Sequence, residues 1–262
     1  MLGIGGGFFI VPILTLVMHL PIKIAIGSSL VAIVANASLA ASRYTRTQLT
    51  NVKLGLLLCS TTVPGAIIGG LLGEIFSPTI LSTFFGLVLI YVAYTMITSQ
   101  DTSSQKQSFW DNPITAASAD TKDIARYYDK ATAKFVGYRI NRIPQGLSGS
   151  FLAGLLSSLL GIGGGVVQIP VMNIIMTVPI KAAVGTSTFV MAITTAVGAL
   201  VYYYHGYIHP FVVAPLLLGI LPGALIGTTL TERIGTTTLR RAFGVLLFIT
   251  AILMFLKATN LI

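Results

Sequence analysis

The sequence has few charged residues, and very few of these are acidic. Only 9% of its 262 residues are charged, and seven Asp and Glu face 16 Lys and Arg. Together with 54% hydrophobic residues and a mean hydropathy of +0.88, this excludes an ordinary soluble domain and indicates an integral membrane protein. The single cysteine, Cys59, excludes an intrachain disulfide. No basic segment precedes the first apolar run, so no signal peptide is predicted.

Groups that carry chemistry are also scarce in the apolar part of the chain. Its two carboxylates, Glu74 and Glu232, fall at the ends of predicted spans, and the three histidines lie near span ends as well. No Ser/His/Asp or Cys/His set and no convincing metal-ligand spacing is visible, so we predict neither an enzyme nor a metal or cofactor site. The basic residues lie mostly between apolar spans, which argues against a nucleic-acid partner.

Apolar stretches of about 20 residues, the length of a membrane-spanning helix, recur on both sides of a polar segment. Residues 99–146 hold five of the seven acidic and seven of the 16 basic residues. The sequence therefore predicts an all-α membrane protein with a first membrane repeat at 1–98, a polar connector at 99–146 and a second membrane repeat at 147–262.

The two halves are copies of each other. Gly3-Ile4-Gly5-Gly6-Gly7 recurs 158 positions later as Gly161-Ile162-Gly163-Gly164-Gly165. The same offset relates Pro12 to Pro170, Pro21-Ile22-Lys23 to Pro179-Ile180-Lys181, and Pro64-Gly65-Ala66 to Pro222-Gly223-Ala224. Four matches in one register indicate an internal duplication, which is typical of secondary transporters.

The distribution of positive charge favours one of two topologies. If Leu147 to Thr177 dips into the membrane and returns, 14 of the 16 Lys and Arg share one face; if it crosses as one kinked helix, the division is 11 to 5. The positive-inside rule favours the hairpin and a cytoplasmic connector. Three crossings then separate the glycine segments, so the repeats are predicted to be inverted, each with a re-entrant hairpin and three transmembrane helices.

The glycine pentapeptides predict a binding site. Irregular backbone within a membrane is tolerated only where protein buries it or where it lines a cavity, and a helix that starts there offers free N–H groups to an anion. Close helix packing is the alternative, and we favour it for Gly65 and Gly69 and their copies. A nucleotide-binding loop is not predicted, because the Gly-Lys-Ser/Thr ending is missing. The candidate site residues are Gly5, Gly6, Gly7, Ser28, Ser29, Asn36, Gly163, Gly164, Gly165, Gln168, Thr186 and Ser187.

The paired motifs resemble those of the TauE/SafE sulfite exporter family. The resemblance rests on two copies of Gly-Ile-Gly-Gly-Gly with a following Pro, each succeeded by Pro-Ile-Lys-x-Ala-x-Gly-Ser/Thr-Ser, and on the later Pro-Gly-Ala. It covers nearly the whole chain except the connector. The apolar lead-in before Gly161 has no counterpart before Gly3, where the sequence departs from the family pattern.

The resemblance implies a multi-pass protein of the cytoplasmic membrane that moves small sulfur-containing anions. We expect a secondary transporter that exports sulfite or organosulfonates such as sulfoacetate by alternating access. The alternatives are an anion channel, or an importer of a related oxyanion such as thiosulfate or sulfate. The thiosulfate branch relies on cysteines along its path, and the lone Cys59 lies outside the repeated motifs. Protonation of the substrate would allow proton coupling without a protein carboxylate.

Overall fold

The computed structural model describes residues 6–98, 124–129, 134–233 and 236–258. The elements of the first half are α1 (Gly7–Pro12), a π-helical turn (Ile13–Val17), α2 (Ile22–Arg46), α3 (Val52–Ile75) and α4 (Pro78–Thr98). Those of the connector are β1 (Ile124–Asp129) and β2 (Lys134–Arg139). Those of the second half are α5 (Ile143–Leu160), α6 (Gly165–Pro170), a second π-helical turn (Val171–Ile175), α7 (Ile180–Tyr204), α8 (Pro210–Arg233) and α9 (Thr236–Ala258).

The helices are apolar on the outside as well as in the core. Among the described residues α2, α3, α5 and α7 are long and apolar enough to cross a membrane. Large apolar side chains are exposed on the surface, including Phe211 at 94% and Leu218 at 73%. Such a surface is unfavourable in water and suits lipid. The structure is that of a largely helical, multi-pass membrane protein.

The backbone of the second half repeats that of the first at the offset seen in the sequence. The bounds of α6, its π turn, α7 and α8 each follow those of α1, its π turn, α2 and α3 by 158 residues. Left-handed backbone recurs as well, at His19 (φ 56°) and Thr177 (φ 58°). The duplication therefore extends from residue types to helix boundaries.

The π-helical turns have a common cause. Pro12 and Pro170 end α1 and α6, and a proline inside a helix removes an N–H and crowds the carbonyl four residues back. The helix widens after each proline, from Ile13 to Val17 and from Val171 to Ile175. Such wide turns are rare and are found mostly as single insertions at functional sites.

The connector corrects the purely helical prediction. Strands β1 and β2 pair antiparallel, with Ile124 opposite Arg139 and Asp129 opposite Lys134. Both strands are rich in aromatic and β-branched residues, which favour a pleated surface. Helix α5 also starts at Ile143, four residues before the predicted apolar lead-in.

Homologous helices pack against each other at the centre of the protein. Helix α2 packs on α7 and α4 on α9, while α3 packs on both α5 and α7. Some of the contacts are reciprocal: a Cβ on Gly27 would lie 3.1 Å from the Tyr207 carbonyl oxygen, and one on Gly185 would lie 3.0 Å from that of Leu49. Gly185 and Tyr207 are the copies of Gly27 and Leu49. Each half therefore contacts the other through the same pair of positions.

Candidate functional site

The second glycine segment forms the tip of a helical hairpin. Helix α5 runs to the tip, and α6 with its π turn returns beside it. At the open end the Asn141 N–H donates to the Met176 carbonyl at 3.2 Å, and the Asn141 amide donates to the Thr177 hydroxyl at 3.1 Å. The chain thus returns to the end at which it entered, a geometry that a single kinked helix does not have.

The tip requires glycine for conformational reasons. Gly161 ends α5 at φ 67°, and Gly163 and Gly164 follow at φ 86° and 67°. Left-handed backbone of this kind strains residues that carry a Cβ. A Cβ on Gly164 would also lie 3.0 Å from the Ala153 carbonyl oxygen and 3.1 Å from the Ser157 Cβ. The glycines therefore let the tip fold tightly against α5.

A small cavity lies beside this tip, between α3, α5, α6 and α7. Its volume is about 10 Å³, which is room for about one water molecule. All of its lining residues are uncharged. They are Thr62, Ala153, Gly154, Gly163, Gly164, Gly165, Gln168, Ser187, Val190, Met191 and Thr194. The structure thus brings five of the predicted site residues, Gly163, Gly164, Gly165, Gln168 and Ser187, to one place.

The polar groups that line the cavity use only part of their hydrogen-bonding capacity on other protein groups. Thr194 donates to the Thr62 hydroxyl at 3.1 Å, and Ser187 donates to its own helix at the Val184 carbonyl. The buried Gln168 amide donates to Ser150 at 3.1 Å, which uses one of its two hydrogens. The second Gln168 hydrogen therefore remains as a donor for a ligand.

The backbone of the tip supplies fewer free donors than the sequence predicted. The Gly165 N–H is taken by the Gly163 carbonyl at 2.8 Å, and the Gln168 N–H by the Gly164 carbonyl at 2.9 Å. The N–H groups of Gly163 and Gly164 make no backbone hydrogen bond to any residue in the described ranges. An anion at the tip would meet these two groups.

The first glycine segment is described from Gly6 onward, so the predicted site residue Gly5 lies outside the described residues. Gly6 is exposed and has φ 78°, and a Cβ placed on it would meet no described atom within 4 Å. Gly7 is buried against the second segment, since its Cβ would collide with the Gly161 carbonyl and lie 3.0 Å from the Ile162 Cα. The two glycine segments therefore touch in the protein interior.

Four other predicted residues lie apart from the cavity lining. Ser29 donates to the Gly161 carbonyl at 2.8 Å and so fixes the end of α5 to α2. Ser28 is fully buried, and its hydroxyl has no hydrogen-bond partner among the described residues. Thr186 accepts from the Asn51 N–H at 3.0 Å, at the start of α3. Asn36 is half-buried on α2.

Thr62 and Thr194 line the cavity but were not predicted. The repeat contained a signal for Thr194, because it is the copy of Asn36, which was predicted. Thr62 gave no such signal, since its copy is the apolar Ile220. A third polar group near the tip is Ser157: its hydroxyl is buried and has no hydrogen-bond partner in the described part of the chain, and it lies 3.4 Å from the Cβ position of Gly164.

Charged residues meet at the end of α3, away from the cavity. The Lys23 Nζ donates to the Glu74 carbonyl at 2.5 Å, lies 3.9 Å from the Glu74 Oε2 and is 5.6 Å from the centre of the Tyr207 ring. A hydrogen bond to the Glu74 side chain raises the pKa of Tyr207, which lies in the loop between α7 and α8. This cluster ties α2, α3 and that loop together.

Comparison with known proteins gives a consistent assignment. The family model described as Sulfite exporter TauE/SafE matches residues 1–254. The chain is similar to the probable membrane transporter protein YunE of Bacillus subtilis, with 25% identity over 91% of this chain and 85% of that protein. It is also similar to probable membrane transporter proteins of Haemophilus influenzae (26% identity, 97% and 92% covered) and Methanocaldococcus jannaschii (25%, 97% and 89%). No solved structure matches the chain significantly.

Proposed function

Because this chain belongs to the TauE/SafE sulfite exporter family, whose members are membrane transporters and not enzymes, we propose that it exports sulfite or an organosulfonate such as sulfoacetate. The observation that carries the proposal is the buried cavity beside the second glycine segment. Its polar lining consists of hydroxyls, one amide and backbone N–H groups, with no carboxylate to repel an anion. Neutral hydrogen-bond donors with no carboxylate among them suit a small oxyanion.

We propose that the remaining predicted residues serve the same site from the facing repeat. Ser29 fixes the Gly161 carbonyl, and Gly7 packs on the second tip. Ser28 and Asn36 lie on α2, which packs along α7. Thr186 positions the start of α3 through Asn51, and so positions Thr62 on the same helix. In this proposal Gly6 and Gly7 form the opposite side of the anion path, and Gly5, outside the described residues, stays a predicted binding residue.

The proposed mechanism is alternating access between two inverted repeats. The matched helix bounds and the reciprocal contacts of Gly27 and Gly185 support a two-fold relation between the halves. A cavity of about 10 Å³ is too small for a sulfonate, so in this proposal the cavity must widen to load its substrate. Rocking one repeat against the other would open the cavity to either face in turn. A substrate that carries its own proton would couple export to protons without a protein carboxylate.

Anion binding is tested first on the purified protein. Thermal-shift measurements with sulfite, sulfoacetate, taurine, sulfate and thiosulfate should show stabilisation by sulfite or a sulfonate, because a ligand that binds only the folded state raises its stability. Gln168→Leu should remove most of that shift, whereas Ile10→Leu, at the copied position in the other repeat, should leave it unchanged. An absence of stabilisation by every anion in the series would contradict the proposal.

Transport is tested in proteoliposomes. A carrier should give a rate that saturates with sulfite concentration and that changes when a pH gradient is imposed. A current that rises without saturation would instead indicate an anion channel. Uptake or export of thiosulfate or sulfate in preference to sulfite would favour the alternative oxyanion transporter.

A further inference from the structure

We propose that the cavity discriminates by charge, and that it binds singly charged anions in preference to doubly charged ones of similar size. The inference rests on the proposed function and narrows it to one class of substrate. It starts from the chemistry of the described lining, in which every polar group is neutral: Thr62, Gln168, Ser187, Thr194 and the glycine backbone.

The positive charges of the elements around the cavity lie at the helix ends. Lys181 is the second residue of α7, six residues before Ser187, which is about 9 Å along a helix. Lys53 is the second residue of α3, nine residues before Thr62, or about 14 Å. Arg142 precedes the first residue of α5. None of these three residues is among those that line the cavity.

Burial penalises charge steeply. The cost of moving an ion from water to a medium of low polarity grows with the square of its charge, so a dianion costs about four times as much as a monoanion of the same radius. The stabilisation of the bound anion by hydrogen bonds grows more slowly with its charge, because the number of donors is fixed. Here few donors are uncommitted, notably the second Gln168 hydrogen and the N–H groups of Gly163 and Gly164. A neutral site with so few donors favours one charge over two.

This preference divides the candidate substrates. Hydrogensulfite and simple sulfonates such as methanesulfonate carry one charge, whereas sulfate, thiosulfate and fully ionised sulfoacetate carry two. Among the substrates proposed above, the inference therefore favours hydrogensulfite and singly charged sulfonates over sulfoacetate. Sulfite loses its second proton near neutral pH, so the cavity would take it as hydrogensulfite. Each exported ion would then carry one proton with it, and the coupling proton would reside on the substrate.

The test is isothermal titration of the purified full chain with methanesulfonate and with sulfate. Both anions keep their charge across the neutral range, and they are similar in size and shape. We expect methanesulfonate to bind at least about tenfold more tightly, a difference of about 1.4 kcal/mol. Sulfite affinity should rise as the pH falls through neutrality, while methanesulfonate affinity should not change. Neither measurement requires a variant.

A charge introduced into the lining provides the converse test. Thr194→Lys should raise the affinity for sulfate relative to methanesulfonate at least about tenfold. Ser148→Lys, at an exposed position on α5, is the matched control and should leave the ratio unchanged. Equal or tighter binding of sulfate by the unmodified protein would overturn the charge inference and leave the proposed function standing. Binding of neither anion nor sulfite would overturn both.

Discussion

The two glycine segments share one backbone design but differ in what surrounds them. At the second, helix α5 packs against the tip, so a Cβ on Gly164 would lie 3.0 Å from the Ala153 carbonyl. At the first, Gly6 adopts the same left-handed conformation but is exposed, and a Cβ on it would meet no described atom within 4 Å. The second turn is therefore packed against α5, whereas Gly6 has no such contact with the described residues.

The side chains diverge as well. Ile10 stands where the second repeat has Gln168, and Ile220 stands where the first has Thr62. The copies thus preserve glycines and prolines, which determine backbone shape, but differ in polarity at two of the four polar side chains that line the cavity, Thr62 and Gln168. A duplicated scaffold can therefore keep the residues that shape its backbone while the polarity of equivalent positions changes.

Valine substitutions at the two equivalent glycines should give the largest difference in stability between the two halves. Gly164→Val adds strain in left-handed backbone, costing about 1–2 kcal/mol, and a contact with α5. We expect it to abolish sulfonate binding. Gly6→Val carries the same strain without a described contact, so its loss of thermal stability should be smaller, although the proposed path predicts that it too impairs binding. Calorimetry and thermal shift on both variants measure this, and unchanged affinity in Gly164→Val would refute the site.

The second prediction compares helix contacts at copied positions. A Cβ on Gly65 would collide with the Phe151 carbonyl of α5, whereas Gly223 on α8 has no described atom within 4 Å of its Cβ position. Gly65→Ala should therefore lower the free energy of unfolding by about 1–3 kcal/mol. Gly223→Ala should be neutral or stabilise by up to about 1 kcal/mol, because alanine favours a helix. Unfolding in detergent measures the change in stability of both variants. Equal changes would contradict the predicted contact between Gly65 and α5.

The third prediction separates structure from binding at two copied serines. Ser29→Ala leaves the buried Gly161 carbonyl without its donor and should cost about 1–3 kcal/mol of stability. Ser187→Ala removes a bond within its own helix and should cost less, but it alters the cavity lining and should weaken anion affinity. Unfolding and titration of both variants check this. A loss of affinity in Ser29→Ala with no loss in Ser187→Ala would contradict the prediction and place the ligand beside α2.

The smallest effect concerns the charged cluster of the first half. Lys23→Gln removes an ion pair that is partly exposed and should cost no more than about 1 kcal/mol, with Lys53→Gln as an exposed control. Glu74→Gln removes the carboxylate that favours the protonated phenol, so the pKa of Tyr207 should fall toward its ordinary value. The Tyr207 signal is obtained by absorbance titration as the difference between proteins with and without Tyr207→Phe, once with Glu74 intact and once with Glu74→Gln. An unchanged pKa of Tyr207 would show that its contact with Glu74 is absent in solution.

Much of the fold was predictable because the repeated residues include glycines and prolines, which determine the backbone conformation. Gly161 to Gly165 and Pro170 determine where helices break and widen, and the structure has these breaks where the sequence indicated them. The strands were not predicted, because charged residues are the conspicuous feature of residues 99–146, although Tyr127, Tyr128 and Val136 favour a sheet.

The site was predictable only in part, because its residues come from helices whose neighbours are determined by packing. Gly163, Gly164 and Gln168 follow one another closely in the chain, so a local pattern found them. Thr62 reaches the cavity from α3, and no feature of its own sequence neighbourhood indicates that contact. Thr186 was predicted at the site as a hydroxyl that follows Gly185, yet the turn of α7 directs it to Asn51.

The widened turns after Pro12 and Pro170 have a consequence for movement. A π turn holds one residue more than the α turn it replaces, and its hydrogen bonds are less regular. If that extra residue passes from one end of the arm to the other, the arm advances by about 1.5 Å and rotates by about 100°, while every other turn remains α-helical. In the hairpin of the second half, such a step would shift the glycine tip relative to α5.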